Sequence, residues 1–156
     1  MRVRRYEEAD RLALLALAPR LTEGVAPRRA VDSVLSAVTG WVVEALDRST
    51  EPGRLVLVAE LDGVVAGFAS GEERRHWSGD PELYVGELVV AKPFEGQGVG
   101  RALIDALTDH AKQRGLATVT LDTGAANTNA RAFYGRLGFD EEDVKLTKWV
   151  DGMIGG

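Results

Sequence analysis

Glu95-Gly96-Gln97-Gly98-Val99-Gly100-Arg101 follows an apolar run, Glu82–Val90, and opens an amphipathic stretch that continues to about Arg114. The run predicts a strand bent at Gly86, and the stretch predicts a helix with Leu103, Ile104, Leu107 and Ala111 on one face and Gly115 as its cap. Ala117–Asp122 reads as the next strand. Strand–helix–strand over 83–122 is a right-handed crossover, so at least one pair of strands must run parallel. At a strand–helix junction the free N–H groups and the positive helix end favour an anion, usually a phosphate. Glycines let the backbone approach it closely. The dinucleotide pattern G-x-G-x-x-G fails in both frames, because Arg101 or Leu103 stands where the third glycine belongs. The P-loop pattern fails as well, since no Gly-Lys pair occurs in the chain. A phosphate site outside both fingerprints is therefore expected here, against the alternative of a tight turn with no ligand.

Working outward, Leu55–Leu61 and Val64–Ala69 flank Asp62-Gly63, a strong short hairpin signal. Val3–Tyr6 is short enough for an edge strand. A helix is expected from Glu7-Glu8-Ala9-Asp10 to Pro19, with acidic residues in its first turn. A second begins at Pro27, where Ala30, Val34, Val38, Trp41, Val42 and Ala45 recur at helical spacing, which puts Trp41 in the core. The polar segment Gly71–Pro81 reads as a loop. Asn127–Leu137 reads as a helix closed by Gly138, and Phe139–Val150 as a final strand interrupted near Asp143. The whole is an α/β chain with a mixed sheet.

At 156 residues, 45% hydrophobic and 28% charged, residues 1–156 are expected to form one domain. Cysteine is absent, which excludes a disulfide framework, a cysteine metal site and a cysteine nucleophile, and fits a cytoplasmic location. The net charge of −5 argues against nucleic-acid and membrane-surface partners. Two histidines are too few for a three-histidine metal site. Neither a targeting signal nor a membrane span is evident. A homodimer is the default assembly to test, dimers being the commonest oligomers.

Asn127-Thr128-Asn129-Ala130-Arg131-Ala132-Phe133-Tyr134-Gly135-Arg136-Leu137-Gly138-Phe139 is a second signature. Together the two stretches resemble the GNAT acetyltransferase superfamily. The first is similar to its acetyl-CoA loop, Q/R-x-x-G-x-G/A, on Glu95, Gly98 and Gly100. The second is similar to its N-x-x-A-x-x-F/L-Y-x-x-x-G-F segment at Asn127, Ala130, Phe133, Tyr134, Gly138 and Phe139. The resemblance implies a mostly antiparallel sheet, flanked by helices and splayed between parallel fourth and fifth strands, with acetyl-CoA in the gap. It implies that the backbone of Leu88, Val89 and Val90 pairs with the pantetheine arm. The loop Glu95, Gly96, Gln97, Gly98, Val99, Gly100 and Arg101 would hold the pyrophosphate, Asn127 would touch the cofactor, and Tyr134 would lie near its sulfur. Glu95 is a departure: the family usually has Arg or Gln there, and a carboxylate repels a pyrophosphate. A shifted frame, Gln97–Ala102, also satisfies the pattern but starts the helix two residues late. In the first frame, backbone N–H groups and Arg101 carry the phosphates.

The chemistry narrows the roles. Acetyl transfer from a thioester to an amine requires a neutral nucleophile, a polarised carbonyl and a protonated leaving thiolate. An amine of pKa about 10.4 is neutral in roughly one molecule in a few thousand at pH 7, so a group or a water must accept its proton. A phenol with pKa ~10 can reprotonate a thiolate of pKa near ~8.5, which suits Tyr134. Tyr134 has a second reading as a core aromatic, and Asn127 as a helix N-cap. A backbone N–H at Val89 or Val90 can hold the carbonyl oxygen. Glu87 is the candidate base, its other reading being a solvated strand carboxylate; His76, beside Trp77, is a second candidate. Tyr84 falls on the opposite face from Glu87 if the strand is regular. Trp41, Trp77 and Tyr84 are candidates to line an acceptor pocket, although the spacing of Trp41 favours the core. Asp140-Glu141-Glu142-Asp143 reads as a solvated edge or as an attractor for a cation. The expected reaction is acetyl transfer to a small-molecule or peptide amine by direct attack. Its alternatives are a non-catalytic acyl-CoA-binding module and a small α/β domain for another phosphate-bearing ligand.

Overall fold

Five strands form one sheet, in chain order, in the computed structural model, which describes residues 1–151. They are β1 (Arg2–Arg5), β2 (Arg54–Leu61), β3 (Val64–Arg75), β4 (Pro81–Val90) and β5 (Thr118–Leu121). The first four pair antiparallel, and β4 pairs with β5 in parallel, as the crossover demands. The helices are α1 (Arg11–Leu17), α2 (Val31–Asp47), α3 (Val99–Gln113) and α4 (Thr128–Arg136). Asp62 and Gly63 both take positive φ, 52° and 76°, and set Leu61 opposite Val64. That is the primed turn whose twist matches a hairpin.

The sheet has a core on each face. Leu55, Leu57, Leu83 and Val85 pack with Val99, Leu103, Ile104 and Leu107 of α3. Val56, Val58, Phe68 and Val89 pack on the other side with Leu14 of α1 and Val42 and Leu46 of α2. Leu103 is fully buried, so Leu103→Ala should cost about 2–5 kcal/mol, read as a lower denaturant midpoint at unchanged slope.

The α1 side is fixed to the sheet edge by a charged cluster. Arg4 donates from both terminal nitrogens to Asp10, at 2.8 Å each, and from Nε to Glu60 at 2.8 Å. The Arg4 hydrogen bonds hold the Asp10 carboxyl below the ordinary carboxylate range, against the opposing effect of burial. A lowered folded-state pKa gives stability that is present above the unfolded value near ~3.9 and lost as pH falls through the folded value. Arg4→Met should therefore destabilise by about 2–4 kcal/mol at neutral pH. Melting curves of the two proteins should draw together only as pH falls below the ordinary carboxylate range and through the lowered folded-state value of Asp10.

Four expectations need correction. β3 extends through Arg75, so only the end of the segment 71–81 is a turn; its polar residues pair in register with Pro81–Val85. The helical stripe of α2 buries Val38, Val42, Ala45 and Leu46 and leaves Trp41 at its margin, 54% exposed. The segment 139–150 joins no strand: Val144, Leu146 and Val150 are exposed, and an alternating pattern gives no ladder without a partner strand. The first helix also divides, with a 3₁₀ turn at Glu8–Asp10, α1, and a second 3₁₀ turn at Ala18–Thr22 that contains Pro19. Among the described residues, no helix is long and apolar enough to cross a membrane.

Candidate active site

The sheet opens in the middle of β4. Its first half pairs with β5 from Glu82 opposite Thr118 to Val85 opposite Leu121. Its second half, Glu87–Val90, keeps β3 on one side, with Ser70 opposite Glu87 and Gly67 opposite Val90. No β5 residue pairs with it on the other side, so the backbone of Leu88, Val89 and Val90 borders a gap. The break falls at Gly86, where the β3–β4 register slips: Ser70 faces Glu87 while Gly71 faces Val85. Gly86 is the extra residue of a β-bulge.

The bulge changes which side chains meet. In a regular strand Tyr84 and Glu87 would point to opposite faces. The inserted residue cancels the alternation, and both line one cavity of about 260 Å³ on the α2 face of the sheet. Trp41 and Glu44 of α2, Arg54 of β2 and Glu72 of β3 complete its walls. Trp77 and His76 lie outside it, in the β3–β4 turn; Trp77 is 88% exposed, and His76 Nδ1 is 2.7 Å from Ser78 Oγ.

Glu87 is buried at the base of this cavity. Ser70 Oγ donates to its carboxylate, and the Glu87 backbone N–H donates to the same hydroxyl at 3.0 Å. Burial pushes the Glu87 pKa up, the Ser70 hydrogen bond opposes that, and the charges of Glu44 and Glu72 add to the rise. A carboxylate so placed accepts a proton more readily than a solvated one. Tyr84 donates its hydroxyl to Asp122 at 2.7 Å, and the Arg74 guanidinium lies 3.9 Å from its ring centre. Burial, then Asp122, pushes the Tyr84 phenol up to about 12.

Tyr134 belongs to the other face of the sheet, packed against the core that α3 covers. Its ring meets Phe133 and Phe139 edge-on, with centroids 5.2 and 5.5 Å away. Burial alone pushes its phenol up to about 12, so it stays protonated throughout the neutral range. Glu87 and Tyr134 thus lie on opposite faces of the sheet.

The glycine loop lies just beyond. A 3₁₀ turn at Lys92–Phe94 leads into Glu95, and Gly98, at φ 81°, is the N-cap of α3. A left-handed N-cap suits glycine, and a Cβ at Gly96 or Gly98 would meet nothing within 4 Å. The first N–H groups of α3 lack intrahelical partners and the glycine loop in front of them is open, a cradle that fits a phosphate. Gly100 links the two signatures: a Cβ there would lie 3.0 Å from Phe133 Cζ. Asn127 caps α4, its Oδ1 accepting from the Ala130 N–H at 3.2 Å.

The acetyltransferase (GNAT) family model matches residues 27–139, which contain the split strand, the glycine loop and the α4 signature. The chain belongs to the GNAT family. Over 67% of its length it is 34% identical to an uncharacterized N-acetyltransferase of Methanocaldococcus jannaschii. Over 37% it is 40% identical to the ribosomal protein bS18-alanine N-acetyltransferase of Escherichia coli. These matches span 46% and 39% of those relatives, less than half of each. The structure of glucosamine-6-phosphate N-acetyltransferase from Arabidopsis thaliana superposes with a TM-score of 0.68 at 21% identity, covering 96% of this chain and 98% of that one. The GNAT fold of this chain, a mixed sheet with a parallel β4–β5 pair, agrees with that likeness.

Several site residues escape a reading by motif. Ser70 carries a weak signal, a hydroxyl inside an apolar strand. Asp122 and Glu72 have none, and Arg20, which ion-pairs with Glu95, lies 75 residues away from it.

Proposed function

We propose that this GNAT chain transfers the acetyl group of acetyl-CoA to a primary amine by direct attack, in the cytoplasm. The observation that carries this reading is the break at Gly86, which puts a buried carboxylate, an open strand edge and the glycine loop along one half-strand. Proteins of this family use acetyl-CoA as acyl donor; bound at the gap, it supplies the thioester and the sulfur that leaves. The N–H groups of Gly98–Arg101 and the Arg101 side chain hold its phosphates, and the free edge of Leu88–Val90 holds its pantetheine arm. Gly96, Gln97 and Val99 shape the loop, and Asn127 contributes from the α4 cap. Glu87 takes the amine proton, directly or through a water. A backbone N–H of Val89 or Val90 steadies the developing oxyanion. Tyr134 gives its proton to the leaving sulfur. The acceptor enters from the α2 face, past Trp41 and Tyr84, as a small molecule or a peptide amino terminus. The names of the Escherichia coli and Arabidopsis relatives support both classes.

Incubation with acetyl-CoA and a panel of amines, followed by release of free thiol, tests the reading. Thiol release that depends on both substrates is expected. Saturable acetyl-CoA binding with no turnover on any amine would favour an acyl-CoA-binding module. No acetyl-CoA binding, with binding of NAD or ATP instead, would overturn the reading.

A further inference from the structure

Glu95 stands where a phosphate-binding loop should least tolerate a carboxylate. It is 53% exposed, and it ion-pairs with NH2 of Arg20, from the 3₁₀ turn that follows α1. The Arg20 side chain is only 23% exposed, so its stem is packed and its charge is aimed rather than free. Its other terminal nitrogen forms a looser ion pair with Glu23 at 3.6 Å, too long for a hydrogen bond, so its N–H groups are not taken up by it. The same arm closes on the second signature: a Cβ at Gly24 would fall 2.3 Å from Asn127 Cβ, and one at Gly124 would fall 2.1 Å from the Gly24 carbonyl oxygen. The segment after α1 therefore bridges the start of the glycine loop and the cap of α4.

We infer that Arg20 is the positioning residue for the phosphate end of acetyl-CoA: it neutralises the Glu95 carboxylate and presents its remaining N–H groups at the loop rim, where position 95 supplies no donor. This rests on the acetyl-CoA reading above. An arginine pairs with one carboxylate and still has N–H groups to offer a phosphate. A lone Glu95 would face the incoming phosphates as a like charge, an effect on the order of tenfold in affinity. An ordinary surface ion pair predicts something different, a small change in stability and none in ligand affinity.

A charge cycle separates the two. Acetyl-CoA is titrated calorimetrically into wild type, Arg20→Ala, Glu95→Gln, the double variant and Arg20→Lys, and the melting temperature of each is read without ligand. Arg20→Ala should weaken binding on the order of tenfold. Glu95→Gln should bind as well as wild type or better. Adding Glu95→Gln to Arg20→Ala should restore most of the loss, and Arg20→Lys should keep most of the affinity. S-acetylpantetheine, which lacks the phosphates, should serve wild type and Arg20→Ala with the same KM. Unchanged affinity in Arg20→Ala, a double variant no better than Arg20→Ala, or an equal loss with S-acetylpantetheine would overturn the inference alone. Failure of the wild-type chain to bind acetyl-CoA would overturn the underlying reading and this inference with it.

Discussion

Tyr134→Phe should lower turnover by about 10²–10⁴-fold and leave the acetyl-CoA dissociation constant within about twofold. The substitution removes one oxygen and keeps the ring. Both edge-on contacts, with Phe133 and Phe139, survive it, so the local packing that fixes the gap is retained. The proton that the hydroxyl carries is lost. Because burial holds this phenol at about 12, the wild-type acid stays loaded at any practical assay pH, and no alkaline decline from Tyr134 is expected below that value. Single-turnover kinetics with the binding isotherm read both quantities. Unchanged turnover would leave Tyr134 a core aromatic and pass the proton to solvent.

Glu87→Gln should reduce kcat/KM by about 10²-fold and erase the acid limb of the pH–rate profile. In wild type, activity should rise with pH as Glu87 ionises, with the midpoint above the ordinary glutamate value because burial lifts it. In the variant only the ionisation of the acceptor amine should remain, at higher pH. Stability moves the other way. A raised folded-state pKa means that the folded chain holds its proton more tightly than the unfolded one, so stability declines as pH passes from the unfolded to the folded value. Above that window the ionised, desolvated Glu87 is a burden on the fold. Gln, which is neutral and still able to accept from Ser70, should give an equal or higher melting temperature at neutral pH. A variant that is slower and no less stable separates a functional carboxylate from a structural one. An unaltered pH profile would assign proton removal to water or another group.

What the sequence discloses about this molecule follows the range of the interaction concerned. Asp62-Gly63, the Asn127 cap and the glycine opening of α3 are settled within a few neighbouring residues, and each is found where it is expected. The parallel β4–β5 pair follows from chirality once strand, helix and strand are recognised. The acceptor side is harder to read. Placing Tyr84 beside Glu87 requires knowing that one residue of β4 is unpaired against β3, a fact of register between two strands. Trp41 shares the spacing of the α2 core stripe but sits at its margin, so periodicity alone misplaces it. Segment 139–150 shows the converse: side-chain alternation without a neighbour to pair with. Arg20 and Glu95 meet only through the tertiary path of the arm after α1.

The extra residue at Gly86 also divides labour along a single strand. Upstream of it, β4 is held by β5 and sends Tyr84 into the cavity on the α2 face; downstream it is released from β5 and borders the gap. The two halves are out of phase with each other by one residue. Changes of length here act differently from changes of identity. Deleting Gly86 would leave a regular ladder with the same partners, Glu87 opposite Ser70 and Val85 opposite Gly71, so Tyr84 and Glu87 would still share a face while the bulge that bends the strand at the gap would be lost. Substitutions upstream, by contrast, can remodel the amine side while the bulge and the downstream edge are kept. On the proposed assignment, the half of β4 that faces the amine and the half that faces the donor are thus separately adjustable on one continuous backbone.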